Sequence, residues 1–560
     1  MPALDAQTPP SATVLVSTTS YIRAMAWKEE FLSTNVDTQT YVFLDDVITQ
    51  NPTPGMDYPA FWQSTSYPAD YQMDSEVVAQ WDDNNPPNMD FGIREALRSL
   101  PTVSIVMDHE DLWGASIGIY NHATSQGEAW RRPASIEYFD PATGEEFQVD
   151  AGVQMHGGAS RDNLRLLKHS FRILFREDFG PTELHYPLFP DSDVEEFNTL
   201  VLRACFTDSF ATRTIQDRYS PLDSQYLRDV WMRDMQLAMG DASSHSSFVH
   251  LYINGLYWGL YNPSERPDEA FQAEYLGGER DDYDIIKDFN ELFAGNKTAW
   301  NEMFALADAG LASDAAYQRI QGNNPDGTPN AAYPNYLDVG NLIDYMILHL
   351  YAGAEDWPHH NWYAARNRVG QTAGFKFYVW DQEIVLDGFF RDRTEVDDAF
   401  SPARLYARLR QNAEFRMRFA DRAHQLLFND GVLTVAATQQ LWMSRADQIE
   451  KAIIAESARW GDAREGEVGQ SGIIVPTMTV NLWRAERGSV RDNYFPQSHL
   501  LALARFQADG LYPSVSAPTF SQRGGDVPAG YALELLASVG EVYYTLDGRD
   551  PRLPGGGVGG

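Results

Sequence analysis

The sequence predicts an α+β chain, strand-rich up to about residue 290 and helical afterwards, with one hairpin inserted in the helical half. Three observations predict it. Short apolar runs of strand length crowd residues 100–262. Asn254-Gly255 separates two of them as a two-residue hairpin turn. After about residue 297, apolar residues recur at helical spacing.

Taken in order, VSIVMD (103–108), ASIEYFD (134–140), GVQMHGG (152–158), HSFRILF (169–175) and TLVLRACF (199–206) read as strands. Residues 226–239 place Leu227, Val230, Trp231, Met235 and Met239 on one helical face, with Gly240 as the C-terminal stop. SFVHLYI (247–253) and LYWGLYN (256–262) form the Asn-Gly hairpin. Residues 337–354 are apolar nearly all round, which predicts a buried helix. Ser401-Pro402 opens a long helix running towards Gly431, and a second covers about 434–460. WYAARN (362–367) and FKFYVWD (375–381) read as the inserted hairpin. Residues 50–100, with NPTPGMDYP and WDDNNPPNMD, read as a loop-rich connector.

Composition narrows function. The chain has 560 residues, 43 Lys+Arg against 79 Asp+Glu and a net charge of -36. That balance argues against nucleic-acid binding, which needs a dense positive surface. It leaves phosphate ligands open, because Mg²⁺ bridges carboxylates to phosphates. Hydrophobic residues at 43% are enough for a sizeable core and exclude wholesale disorder. Cys205 is the only cysteine, so neither an internal disulfide nor a Cys-rich zinc framework is available. No apolar run approaches the roughly 18–20 residues of a transmembrane helix.

The start, MPALDAQTPPSATVLVSTTS, shows no signal peptide, but both ends look cut. Residues 13–19 and 21–27 alternate as short strands, as do 531–536 and 541–546. EVYYTLDGRDPRLPGG resembles the front half of the chitobiase/β-hexosaminidase C-terminal type β-sandwich, and TSYIRAMAWKEEFLSTNVDTQTYVF resembles its back half. The resemblance implies an excerpt from a longer modular protein. Two unrelated edge hairpins are the alternative.

Several motifs carry chemistry. In AGVQMHGGASRDN, Gly152-x4-Gly157 starts like a phosphate-binding loop, but Gly158 and Ala159 stand where Walker A requires Lys and Ser or Thr. Two readings stay open: a tight turn between strands, or a glycine hairpin whose amides, with Gly157, Gly158, Ser160 and Arg161, cover phosphates. Lys168 enters the next strand, where a phosphate-pairing ammonium would sit; an ordinary exposed lysine is the alternative. In AEDWPHHNWYAARN, Asp356 and Asn361 have the D-x4-N spacing of a kinase catalytic loop, in which Asp accepts the substrate proton and Asn holds Mg²⁺. Asp381 then ends a strand and Glu383 follows, hard oxygen donors suited to Mg²⁺. His359 and His360 lack any HExxH-like partner and read as turn histidines. No G-x-S-x-G elbow supports a hydrolase.

Together GVQMHGGASR, LKHSFRILFRE, YLRDVWMRDMQLAMG, FVHLYINGLYWGLYNPSERPDEAF, HHNWY and FYVWDQE resemble the CotH kinase family, the spore coat protein H-like proteins. The resemblance spans about residues 100–510. It implies an atypical protein-kinase-like fold with a β-rich N-lobe (about 100–290) and a helical C-lobe (about 291–510), between a partial sandwich at 1–49 with the 50–99 connector and another partial sandwich at 511–560. It implies ATP- and Mg²⁺-dependent (or Mn²⁺-dependent) transfer to Ser/Thr of a protein substrate, in a secreted or cell-envelope setting. Residue by residue, Lys168 matches the ATP-phosphate lysine, Asp356 the catalytic acid, and Asn361 and Asp381 the metal holders. Glu265 falls near the adenine-facing hinge. Helix 226–239 takes the regulatory-helix slot, so Asp229 or Asp234 is expected to pair with Lys168. The family's W-D-x-D reads here as Trp380-Asp381-x-Glu383. The rival reading is a catalytically silent, kinase-shaped binding or scaffold module of the envelope. A carbohydrate-associated enzyme, with glycan or envelope contacts through the end modules, rests only on the ends.

Overall fold

Seven strands close into a barrel in the first half of the chain. Around the ring they run Val249–Ile253, Leu256–Ser264, Thr199–Arg203, Ser170–Leu174, Glu146–His156, Arg132–Phe139 and Thr102–Met107. Neighbours are antiparallel except at the seam, where Thr102–Met107 lies parallel to Val249–Ile253 with Thr102 opposite His250. The hairpin turn forms as the sequence predicts: Asn254 (φ 46°) and Gly255 (φ 79°) both occupy the left-handed region that a type I′ turn requires. The computed structural model describes residues 11–55, 58–63, 67–83, 91–213, 220–370, 373–388, 390–469 and 472–559. The first ten residues, and 84–90 of the expected Pro- and Asn-rich loop, lie outside them.

Thr102–Met107, Thr199–Arg203 and Val249–Ile253 are buried at every position, because the barrel is filled inside and covered outside. The helix Ala452–Trp460 is one cover, packed on Leu256–Ser264. Gly259 permits that approach: its φ is 117°, and a Cβ there would stand 2.5 Å from Glu456 Oε2.

The inserted hairpin belongs to a second sheet of four antiparallel strands, ordered Glu291–Ala294, Tyr283–Lys287, Trp362–Asn367 and Lys376–Val379. The helix Val339–Ala352 packs on Lys376–Val379 and is buried almost throughout, as its composition predicts. Asp338 caps its start by accepting from Asn341 N, and Gly353 (φ 65°) ends it. Each expected long helix is two helices. Asn412 separates Pro402–Leu409 from Ala413–Leu427 and caps the latter through Phe415 N at 3.1 Å. The second divides into Val435–Ile449 and Ala452–Trp460.

The loop-rich 50–99 stretch does more than connect. Trp62, Tyr71, Trp81 and Ile93 are buried in the main core, and Trp62 meets Trp113, Tyr120, Trp258 and Trp460 at ring separations of 5.0–6.5 Å. At the ends, Ser20–Ala24 pairs with Asp37–Tyr41, and Thr519–Phe520 with Leu535–Leu536. Residues 13–19 and 541–546 form no strand. The first hairpin docks on the barrel through Thr40 N, which donates to Glu137 Oε1 at 2.8 Å. Among the described residues, no helix is long and apolar enough to cross a membrane.

Candidate active site

Arg203, the last residue of a buried barrel strand, carries its guanidinium to a group of three carboxylates. Nη2 donates to Glu383 Oε1 at 3.0 Å and to the Asp381 carboxylate, and Nε lies 3.4 Å from Asp229 Oδ2. Burial opposes the charge on Arg203, but the three acids outweigh it and hold its pKa well above the usual value. Asp229 opens the helix Arg228–Ala238; burial works against its charge too, yet Arg203 and Arg233 hold its pKa below the ordinary carboxylate range. Asp229 also accepts from Gln382 N at 2.7 Å. One arginine thus ties a barrel strand, a helix and the end of the second sheet together. The guanidinium stands 5.2 Å above the Trp380 ring.

Asp381 sits in the left-handed region (φ 57°), with its side chain 45% exposed. Glu383 behaves differently. Its Oε2 accepts from Thr207 N (2.7 Å) and Thr207 Oγ1 (3.1 Å), while Oε1 faces Arg203. Burial, reinforced by the Asp381 charge, pushes Glu383 up to about 7. Both Glu383 oxygens thus hold protein donors, from Thr207 and Arg203.

The loop from Asp356 to Asn361 follows the buried Val339–Ala352 helix. Asn361 (φ 65°) donates from Nδ2 to Asp356 O (2.9 Å) and lies 3.4 Å from Asp356 Oδ2; its own N donates to Asp288 Oδ1 at 2.7 Å. Gln382 Nε2 donates to Asn361 O at 2.9 Å, joining this loop to the Asp381 segment. Asp288 follows the strand Tyr283–Lys287 and carries Lys287 Nζ at 3.2 Å. His360 Nε2 lies 3.2 Å from Asp356 Oδ2; burial lowers its proton affinity, but Asp356, Asp288 and Asp381 together raise it. The expected trio Asp356, Asn361 and Asp381 therefore shares one neighbourhood, with Asp288 added.

The glycine stretch leads out of Glu146–His156 above this region, with His156 edge-on to Trp380 at 6.3 Å. Gly157 (φ 109°) is required, since a Cβ would stand 2.0 Å from Ser160 Oγ; Gly158 has open space around it. Ser160 and Arg161 are buried in the loop itself. Ser160 O meets His169 Nδ1 at 2.9 Å, and Arg161 Nη1 donates to the carbonyls of Thr124 (3.0 Å) and Ser125 (3.1 Å). The Ser160 carbonyl and the Arg161 side chain brace the loop. Burial, then Arg266, Arg203 and Arg172, push His156 far below the usual histidine range, which marks a concentration of positive charge here.

Lys168 and Glu265 both lie buried among protein partners. Lys168 is fully buried behind the barrel strand, where Nζ donates to Glu456 Oε1 and Leu260 O, each at 2.5 Å; burial lowers its pKa against the pull of Glu456. Its partner is thus neither Asp229 nor Asp234, the latter being held by Arg445 at 2.6 Å. Lys168 stands just before the strand Ser170–Leu174, and Glu456, 288 positions later, neutralises it there. Glu265 is likewise buried, with Oε2 accepting from His245 N (2.8 Å) and Oε1 from Tyr275 OH (2.9 Å).

Sequence reasoning missed Arg203, Asp288, Arg172 and Arg266. A charge closing an otherwise apolar strand, as in TLVLR, was the available signal for Arg203. The residues fit the groups a kinase needs. Asp288, Asp356, Asp381 and Asn361 offer hard oxygen donors suited to Mg²⁺. Arg266 Nη1 is buried without a hydrogen-bond partner in the same cationic region, an orphaned donor that a phosphate oxygen would satisfy. No curated protein matches the chain. The CotH kinase protein model matches residues 153–474, more than half of the sequence and all of the residues assembled around Arg203 and Asp356; the chain belongs to the CotH kinase family.

Proposed function

We propose that the chain is an ATP- and Mg²⁺-dependent protein kinase, with Mn²⁺ as an alternative ion, acting on Ser/Thr of a protein substrate. The observation that carries this reading is the convergence of Asp356, Asn361, Asp288 and Asp381 beside Arg203, itself bridged to Asp229 of the Arg228–Ala238 helix. ATP and its divalent ion would supply the transferable phosphoryl group and part of the charge neutralisation when bound.

The chain's own residues do the remainder. Asp288, Asn361 and Asp381 would hold the ion. Arg172, Arg203 and Arg266 would draw phosphate oxygens beneath the turn at Gly157, and the indole of Trp380 shields one side of Arg203 from water. Asp356 Oδ2, oriented by Asn361 Nδ2 and His360 Nε2, would take the proton of the attacking hydroxyl. Glu383 and Asp229 keep Arg203 in place. Phosphoryl transfer depends chiefly on such positioning and charge neutralisation.

We read the protein as exported, by family company, and its ends as partial β-sandwich modules suited to glycan or envelope contacts. A catalytically silent scaffold is the second reading, favoured by the contact of Arg203 on the Asp381 carboxylate that would otherwise face a metal. Incubating the full chain with labelled ATP, Mg²⁺ or Mn²⁺ and a casein-like substrate separates the two. The kinase reading expects incorporation and a nucleotide-induced thermal shift, both lost in Asp381→Ala. Equal incorporation in the wild type and Asp381→Ala, with no thermal shift, rejects it.

A further inference from the structure

Asp356, His359 and His360 each offer one ligand atom, and the three atoms lie within 4.8 Å of one another. His360 Nε2 and Asp356 Oδ2 are 3.2 Å apart. Two ligands held about 2.1 Å from one tetrahedral or octahedral ion stand about 3.0–3.4 Å apart, so this pair is already at ligand spacing. The two imidazole rings lie 4.1 Å apart at their centroids.

The backbone that presents them is braced. Phe289 N donates to His359 O at 2.8 Å, Trp362 Nε1 to Pro358 O at 2.8 Å, and Asn361 N to Asp288 Oδ1 at 2.7 Å. The Phe289 ring packs on both histidines, at 5.6 and 5.1 Å.

We propose that Asp356, His359 and His360 form a site for a borderline divalent transition-metal ion of the Zn²⁺ class, which shares Asp356 with the proposed phosphoryl-transfer site, so that a bound ion and the base role of Asp356 exclude one another. Two imidazoles and one carboxylate select Zn²⁺, Co²⁺, Ni²⁺ or Cu²⁺ over Mg²⁺, which prefers oxygen ligands and sheds water reluctantly. His359 is exposed and His360 partly so, which leaves the site reachable and its remaining coordination positions for water. Ion binding here does not depend on phosphoryl transfer by the chain.

The test is titration of the full chain with ZnCl₂ against a chromophoric zinc indicator, with MgCl₂ in excess throughout. One saturable equivalent is expected in the wild type and in Asp381→Ala. His359→Ala and His360→Ala are each expected to weaken it at least about tenfold, with melting profiles checked for folding. Electron paramagnetic resonance of the Cu²⁺-loaded wild type is expected to show two coupled imidazole nitrogens, and needs no variant to fold. Absence of saturable Zn²⁺ binding, unchanged affinity in either histidine variant, or a Cu²⁺ spectrum without two nitrogens overturns the proposal.

Discussion

Replacing Lys168 by Met tests whether this lysine holds the fold or a nucleotide. In the native chain its ammonium, entirely buried, donates to Glu456 Oε1 and Leu260 O and faces the rings of Tyr261 (4.8 Å) and Tyr226 (5.2 Å). Glu456 also accepts from Tyr226 OH at 2.9 Å and from Leu260 N at 2.6 Å, so it cannot leave when its counter-ion is removed. Breaking a buried pair by deleting one partner costs about 3–5 kcal/mol, because the remaining charge stays uncompensated. At about 2–4 °C per kcal/mol for a cooperative unit of 150–250 residues, melting should fall by roughly 6–20 °C, nearer the lower figure in a larger unit. The double variant Lys168→Met/Glu456→Leu should recover most of the loss, since apolar residues of similar volume commonly replace such pairs without penalty. The assay is thermal melting with and without Mg²⁺-ATP. An unchanged melting temperature together with a lost nucleotide shift would refute the structural role and return Lys168 to the phosphates.

Other outcomes follow from the same geometry. Gly157→Ala should destabilise by about 1–3 kcal/mol, as a strained φ and a clash with Ser160 Oγ demand, whereas Gly158→Ala should leave melting unchanged. Arg203→Met should cost about 3–5 kcal/mol and abolish the nucleotide-induced shift, because Asp229, Asp381 and Glu383 lose their shared cation. Stability should decline as the pH falls from about 6.5 towards 4: burial holds His169 and His250 at about 4 and His349 at about 3, so the unfolded chain binds more protons across that window. His250→Gln, which loses the titrating ring between Tyr257 OH and Ala96 O, should flatten the decline measured by melting at pH 7 and pH 5.

Local pattern carried the strands and helices to within a few residues, because alternation and helical spacing are written into neighbouring positions. Barrel closure was not legible: the parallel seam joins residues about 150 positions apart, and the same alternation would serve an open sheet. The proximity of Asp356, Asn361 and Asp381 was readable from loop spacing and a strand-end acid. Arg203 was not, since its three carboxylate partners come from segments that only the fold brings together. The pairing of Lys168 was hidden for the same reason, its position beyond a glycine turn being visible and its partner Glu456 not. The two long helices were read as continuous because Asn412, a favourable residue in the pattern's background, acts as a cap only when its neighbours turn.

The seam behind the barrel also constrains how this molecule moves. There Glu456 meets Lys168, Trp460 Nε1 donates to Trp258 O at 2.7 Å and Arg459 reaches Asp70 at 3.0 Å, all on one short helix made possible by the missing side chain of Gly259. A late segment of the chain is thereby riveted to its early half along one edge. Removing residues after about 450 would therefore strand the buried Lys168 ammonium without its counter-ion and uncover the face of Leu256–Ser264.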